Sequence, residues 1–404
     1  MFSEQHKISG VAYPQGFKAA GVRAGIKKNG NLDVAVIYTE REAVVAGVFT
    51  KNLVAAAPVQ VSRQVVATGT AHAVVANAGC ANACTGERGL ADARQMAQIA
   101  ADELKCKAED VIVASTGLIG SNLPMDKMSA GIRDAVQKLS REGSVDAGNA
   151  IITTDTYSKA CATEIDLGGK EVRFGAIAKG SGMIRPDMAT MLCFITTDAD
   201  IDQKILQQAL SEITEISFNC LSVDGDMSTN DSVVVLANGA AGNKKISAAA
   251  GEDYEKFYGA LKNICVELAK RIASDGEGAT KFVTVKVTGA KTFADAKQIG
   301  MAVANSPLCK TAIFGQDPNP GRFICAVGYA GIPIDPDKVT IKFGGLTVYS
   351  GGLVTKFDAD EMRKVLSEHD IAIDIDLALG AAEATIFTCD LSFGYVKINA
   401  DYTT

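Results

Sequence analysis

Short apolar runs rich in β-branched residues dominate the first third of the chain. Residues 33–38, 43–49, 72–76 and 111–114 each read as strands on this pattern. Between and after them the apolar positions shift to a helical period, predicting helices over 89–105, 124–139 and 202–216. The clearest helix spans 254–272, where Tyr254, Phe257, Tyr258, Leu261, Ile264, Cys265, Leu268, Ala269 and Ile272 share one face. A further helix is expected from an N-cap at Asp358 to Glu368, and strands return at 371–376, 384–388 and 391–398. Their alternation of apolar and polar positions is that of half-buried antiparallel strands. Neither a repeat nor a Pro/Ser-rich linker marks a lobe boundary, and the best place for a functional division is near residue 190.

Length and composition narrow the class. At 404 residues the chain needs two or three domains, or one large body of two lobes. With 47% apolar, 22% charged and 6% aromatic residues, it has the composition of a compact α/β enzyme. A net charge of −7 without any Lys/Arg run argues against nucleic acid or an anionic membrane as partner and favours a small molecule. The N-terminal residues lack the apolar stretch of a signal peptide, so a cytoplasmic location is expected, and no apolar run is long enough to span a membrane. The ten cysteines are scattered. Only Cys80 and Cys84 are close, without a second pair or a nearby His, so neither a zinc site nor any other metal or cofactor is expected.

Chemistry is constrained by scarcity. His6, His72 and His369 are the only histidines, and none stands in a G-x-S-x-G or H-E-x-x-H context. A hydroxyl nucleophile would need another base, and an N-terminal Thr can use its own α-amine, whose pKa of about 7.7–8.0 suits neutral pH. The loops at 179–182 and 276–281 lack dinucleotide and P-loop spacing. The acidic stretch 224–235 has Thr229 and Val235 where a calcium loop needs Gly and Glu, so it reads as a hydrogen-bonded turn. Residues 179–192 place a Gly-rich lead-in and Pro186 before the Ala189-Thr190 junction. The residues alone leave open an ordinary loop entering an ordinary strand.

That segment closely resembles the self-cleavage motif of the ornithine acetyltransferases, the glutamate N-acetyltransferases of arginine biosynthesis. Residues 77–86, 114–117, 153–156, 222–231, 274–281, 315–322 and 399–404 match in family order, so the resemblance covers essentially the whole chain. Cys80 and Asp187 stand where the family often has Asn, and Pro320 where it has Trp.

The resemblance implies a layered α/β sandwich of two lobes with mixed and antiparallel sheets. The chain would cut itself between Ala189 and Thr190 into an α chain, 1–189, and a β chain, 190–404. Thr190 is then the nucleophile that carries acetyl from N2-acetylornithine to glutamate. Thr116 and Gly117 would form the oxyanion hole, and Thr153, Lys179, Thr190, Glu277, Asn399 and Thr404 would bind substrate. Two α and two β chains are the implied assembly, and whether acetyl-CoA is a second donor stays open. The alternatives are an N-terminal-threonine amidase or aminopeptidase and a non-catalytic amino-acid-binding module. Because Asn399 and Thr404 close the chain, a C-terminal tag is expected to raise the KM for N-acetylornithine, which steady-state kinetics of tagged and untagged enzyme will check.

Overall fold

The computed structural model of the chain describes residues 10–185 and 191–401. The first lobe opens with β1 (Phe17–Val22) and β2 (Val34–Phe49), then helix α1 (Ala57–Thr68) and β3 (Thr70–Cys80). Helix α2 (Gly86–Leu104) leads to β4 (Val111–Leu118). Helices α3 (Met125–Gln137) and α4 (Ser144–Ile151) precede the hairpin of β5 (Lys159–Leu167) and β6 (Lys170–Lys179). Then come β7 (Leu192–Thr197), α5 (Gln203–Ile216), β8 (Ser232–Ala237) and the long α6 (Glu252–Ser274). Among the described residues these strands form one eight-stranded sheet, in the order β4-β3-β2-β8-β7-β6-β5 with β1 against β2. The β3–β4 and β7–β8 pairs are parallel and the other ladders antiparallel.

Every residue of β7 and of β8 is buried, because the sheet is covered on both faces there. The period of two sorts their side chains. Cys193, Ile195, Val233 and Val235 join Leu206, Leu210 and Ile213 of α5 and the apolar face of α6. Leu192, Phe194, Val234 and Leu236 turn the other way, towards Ala147, Ala150 and Ile151 of α4. A third cluster packs α2 and α3 on β3 and β4 through Ala93, Met96, Ile132, Val75 and Val113.

The second lobe starts with β9 (Phe282–Ala290), followed by helices α7 (Phe293–Ala304), α8 (Pro307–Phe314) and α9 (Pro320–Gly328). After them come β10 (Thr340–Phe343), β11 (Leu346–Ser350), β12 (Leu353–Val354), α10 (Ala359–Ser367), β13 (Asp370–Asp376), β14 (Ala382–Cys389) and α11 (Phe393–Asp401). Its six-stranded sheet runs β12-β11-β10-β13-β9-β14, parallel only between β13 and β9. One face carries Val283, Val285, Ile373 and Ile386 against α7, α9 and α10. Phe387 and Cys389 of β14 enter the core under α6 instead and tie the two lobes together.

This is the expected layered α/β architecture of two lobes. The α6 face read from the sequence is buried except for the half-exposed Tyr258, and Asp358 caps α10 by accepting from the amides of Asp360 and Glu361. Three readings change. The runs at 33–38 and 43–49 belong to one long strand, whose register shifts between Tyr38 and Ala43. Strand 371–376 is antiparallel to β10 but parallel to β9. The run at 391–398, expected as a strand, enters helix α11 at Phe393; that helix has no buried residue and joins neither sheet. Its aromatic and β-branched residues favour a strand only where a pleated neighbour exists. Strand β7, which begins two residues after the expected functional division at 190, lies in the first sheet between β6 and β8. Phe257 is fully buried at 5.2 Å from the Phe174 ring, and Phe257→Ala is expected to cost about 3–5 kcal/mol in urea unfolding.

Candidate functional site

Thr116 and Gly117 are the sixth and seventh residues of β4, which runs on past the strand expected at 111–114. Opposite them β3 is irregular: Gly79 pairs with Gly117, and Cys80 pairs with both Thr116 and Leu118. Only glycine fits at 117. Its φ is +127°, and a β-carbon there would lie 2.5 Å from the Gly79 carbonyl carbon. The same strand end is pinned by Asn230, whose amide donates to the carbonyls of Ala81 at 2.6 Å and Ser115 at 2.8 Å.

Lys179 ends β6 and is almost wholly buried. Its ammonium donates to Thr153 Oγ1 at 2.8 Å and to Thr116 Oγ1 at 3.2 Å, with Asp155 Oδ2 3.9 Å away. Burial lowers its pKa, and the Asp155 charge is the largest influence pulling it back up. Behind it a second buried ammonium, Lys159 at the start of β5, bridges Asp155 at 2.7 Å and Asp275 at 2.5 Å. Burial would raise the Asp155 carboxyl, but the Lys179 and Lys159 charges and the Gly180 amide hold it below the ordinary carboxylate range.

The Gly-rich segment after Lys179 is tied down on both sides. Ser181 donates its hydroxyl to the Asp275 carbonyl and accepts from the Glu277 amide, at 2.7 and 2.8 Å. Asp224 accepts from the amides of Met183 and Ile184, so the acidic stretch is the hydrogen-bonded turn its sequence indicated. Gly182 lies against Glu277: a β-carbon there would come within 2.4 Å of the Glu277 carboxyl carbon. Glu277 in turn accepts from Asn399 Nδ2 of α11 at 2.8 Å.

These loops enclose a cleft of about 420 Å³ lined by Thr116, Gly117, Thr153, Lys179, Glu277 and Asn399. Six residues expected from the sequence thus converge from both lobes. Ala189, Thr190 and Thr404 lie outside the described residues. Immediately after them Met191 donates its amide to Asp231 Oδ1 at 3.0 Å. Neither His72 nor His369 lines the cleft. Sequence reasoning missed Asp155, Lys159, Asp275, Asn230 and Asp231 as parts of the site. All but Lys159 stood inside the matched motifs, and the signal they offered was polar residues in runs that also had to be buried.

The architecture and cleft define an α/β enzyme that acts on a small polar molecule: hydroxyls, a glycine-bounded strand end, a buried ammonium and one carboxylate face a common space. The chain belongs to the ArgJ family, whose sequence profile matches residues 18–404. The arginine biosynthesis bifunctional protein ArgJ of Symbiobacterium thermophilum is 50% identical over 98% of this chain and 98% of its own. Its namesake in Caldanaerobacter subterraneus subsp. tengcongensis is 47% identical over the same shares. The crystal structure of arginine biosynthesis bifunctional protein argJ from Bacillus halodurans is 43% identical with a TM-score of 0.51, over 52% of this chain and 98% of that chain.

Asp231 generates a pH prediction. It is fully buried, and burial pushes its carboxyl well up against the Met191 amide, the Thr50 hydroxyl, the Lys179 charge and the Ser228 hydroxyl. The folded protein therefore keeps a proton that the unfolded chain releases above about pH 4, and wild-type stability falls as pH rises through that window. Asp231→Asn removes this dependence. It is expected to gain on its parent by up to about 1.4 kcal/mol per pH unit above pH 4, read by urea unfolding at successive pH values.

Proposed function

We propose that this chain is a glutamate N-acetyltransferase of arginine biosynthesis, which moves acetyl from N2-acetylornithine to glutamate through an ester on Thr190. The observation that carries the reading is the convergence of Thr116, Gly117, Thr153, Lys179, Glu277 and Asn399 on one cleft, in a chain of the ArgJ family. Thr190 is bonded to Met191, whose amide is fixed by Asp231 beside that cleft.

The Thr190 hydroxyl first attacks the Ala189 carbonyl, shifting the acyl group from nitrogen to oxygen. Water opens the resulting ester, leaving a carboxylate on Ala189 and a free amine and hydroxyl on Thr190. In turnover the amine takes the hydroxyl proton as Oγ attacks the acetyl carbonyl, then passes it to the departing N2 nitrogen of ornithine. The amine of glutamate attacks the ester in the second half-cycle and regenerates Thr190. Thr116 and Gly117 receive the developing oxyanion. Lys179 meets the substrate carboxylate, Glu277 the substrate ammonium or the Thr190 amine, and Thr153, Asn399 and Thr404 complete the binding site.

Supporting the cut, the solved Bacillus halodurans chain is covered over 98% of its length by 52% of this one, and a chain cut at 189/190 falls into two pieces of about half each. The relatives are called bifunctional. We take the second activity to be acetylation of glutamate by acetyl-CoA, and the assembly to be two α and two β chains.

Intact mass analysis should find two polypeptides in the wild type and one in Thr190→Ala, which should also lose acetyl transfer. Incubation with N-acetylornithine and glutamate should yield ornithine and N-acetylglutamate in equal amounts. An uncleaved wild type would refute the self-cleavage, and free acetate without N-acetylglutamate would make the enzyme an amidase.

A further inference from the structure

An ammonium has three donors and no acceptor. The contacts from Lys179 therefore fix Thr116 Oγ1 and Thr153 Oγ1 as acceptors, at 3.2 and 2.8 Å. A threonine hydroxyl has a single proton, so the Thr116 proton must point away from Lys179. Among the described residues it has no acceptor of its own, and Thr116 lines the cleft. A neutral amine at Lys179 would reverse this, because its lone pair would accept the Thr116 proton and take it out of the cleft. The direction of that one hydrogen bond depends on Lys179 keeping its charge in a buried site.

The group that keeps it charged is Asp155, whose side chain has no exposed surface. Its Oδ1 accepts from Lys159 and from the Gly180 amide, both at 2.7 Å, while Oδ2 accepts from the Thr153 amide at 3.2 Å and faces Lys179 at 3.9 Å. Asp275 balances Lys159 from the other side, so two ammoniums and two carboxylates form a neutral buried cluster. We propose that Asp155 is a positioning residue of the acetyl-transfer site: it holds the Lys179 ammonium against Thr116 so that the Thr116 hydroxyl donates into the cleft. The inference rests on Thr116 being an oxyanion donor, and it gives Lys179 a part in the chemical step besides substrate binding.

The consequence is a pH signature. Among the described residues, the titratable groups facing Lys179 are Asp155, Lys159, Glu277 and the protonated Asp231, with Lys27 acting at longer range. Burial and the Lys159 and Lys27 charges favour loss of its proton, and the Asp155 and Glu277 carboxylates oppose it. Deprotonation as pH rises should lower kcat, because the donor is lost from the transition state, and should also raise KM through the lost contact with the substrate carboxylate. Asp155→Asn removes the nearest carboxylate and should move that alkaline limb down by about one to three pH units.

The test is the pH dependence of kcat and KM for N-acetylornithine and glutamate in wild type, Asp155→Asn, Thr116→Val and Thr116→Ser. Support would be a kcat limb that shifts down in Asp155→Asn, is kept in Thr116→Ser, and is absent in Thr116→Val, whose kcat falls about 10²–10³-fold. An unshifted limb in Asp155→Asn, or a limb in KM alone, would overturn the inference. An unchanged kcat in Thr116→Val would instead refute the oxyanion reading on which it rests. Should Asp155→Asn not fold, the comparison of wild type with Thr116→Val decides: a kcat limb common to both overturns the proposal, and one confined to the wild type supports it.

Discussion

Lys159 is an ammonium without solvent exposure, and the geometry of the cleft follows from how it is neutralised. Removing a charge from water costs several kcal/mol even after relaxation, so a lone Lys159 would not be tolerated. Asp155 and Asp275 make it possible, and each brings part of the site with it. Asp155 gathers the amides of Thr153 and Gly180. Asp275 accepts from the amide and hydroxyl of Thr156, while its own carbonyl receives Ser181. Three chain segments, 153–159, 179–181 and the residues around Asp275, thereby meet at one neutral cluster that includes the Lys179 ammonium. Stripping either carboxylate would strand a buried cation, a loss that typically costs about 3–5 kcal/mol.

The cluster also bears on the proposed division of the chain at residue 190. Asp155, Lys159 and Lys179 precede that point, and Asp275 follows it. On the same sheet β6 and β7 are antiparallel neighbours in which Lys179 pairs with Leu192, and β7 lies parallel to β8 from Leu192 to Thr197. A cut there would sever one loop between two strands that remain hydrogen-bonded along their length, with a shared core of Phe174, Ile195, Val235 and the α6 face beneath them. The two pieces would be interleaved in one sheet instead of joined as separate domains. That arrangement would let the proposed new N-terminus form while its surroundings stay fixed, as a preorganised nucleophile requires.

The second lobe reaches the cleft through Asn399 of α11. Gly278 packs so tightly on α11 that a β-carbon would lie 2.3 Å from the Tyr395 amide nitrogen. Tyr395 reaches Asp224 at 3.3 Å and Asn399 reaches Glu277 at 2.8 Å. Burial and the Asp224 carboxyl raise the Tyr395 pKa, which keeps that hydroxyl a donor at ordinary pH. Helix α11, though it buries no side chain of its own, therefore holds both the Gly-rich segment and the acid that faces it.

The sequence by itself determined the elements whose pattern is local. The α6 face, the Asp358 cap and the apolar strands of the first sheet were legible because period and capping are set within a few residues. Their motifs likewise identified six of the residues that line the cleft. What it could not determine was where polar residues are buried. Asp155, Lys159 and Asp275 look like surface charges in one dimension, and only the meeting of β5, β6 and the end of α6 removes them from water and pairs them. The tertiary structure also decided that the run is helical from Phe393, where Ser392 accepts from the Gly394 amide and Gly278 packs against Gly394 and Tyr395. It decided as well that the lobes part after α6, because hydrogen bonding between distant strands, and not local pattern, places β7 and β8 in the first sheet.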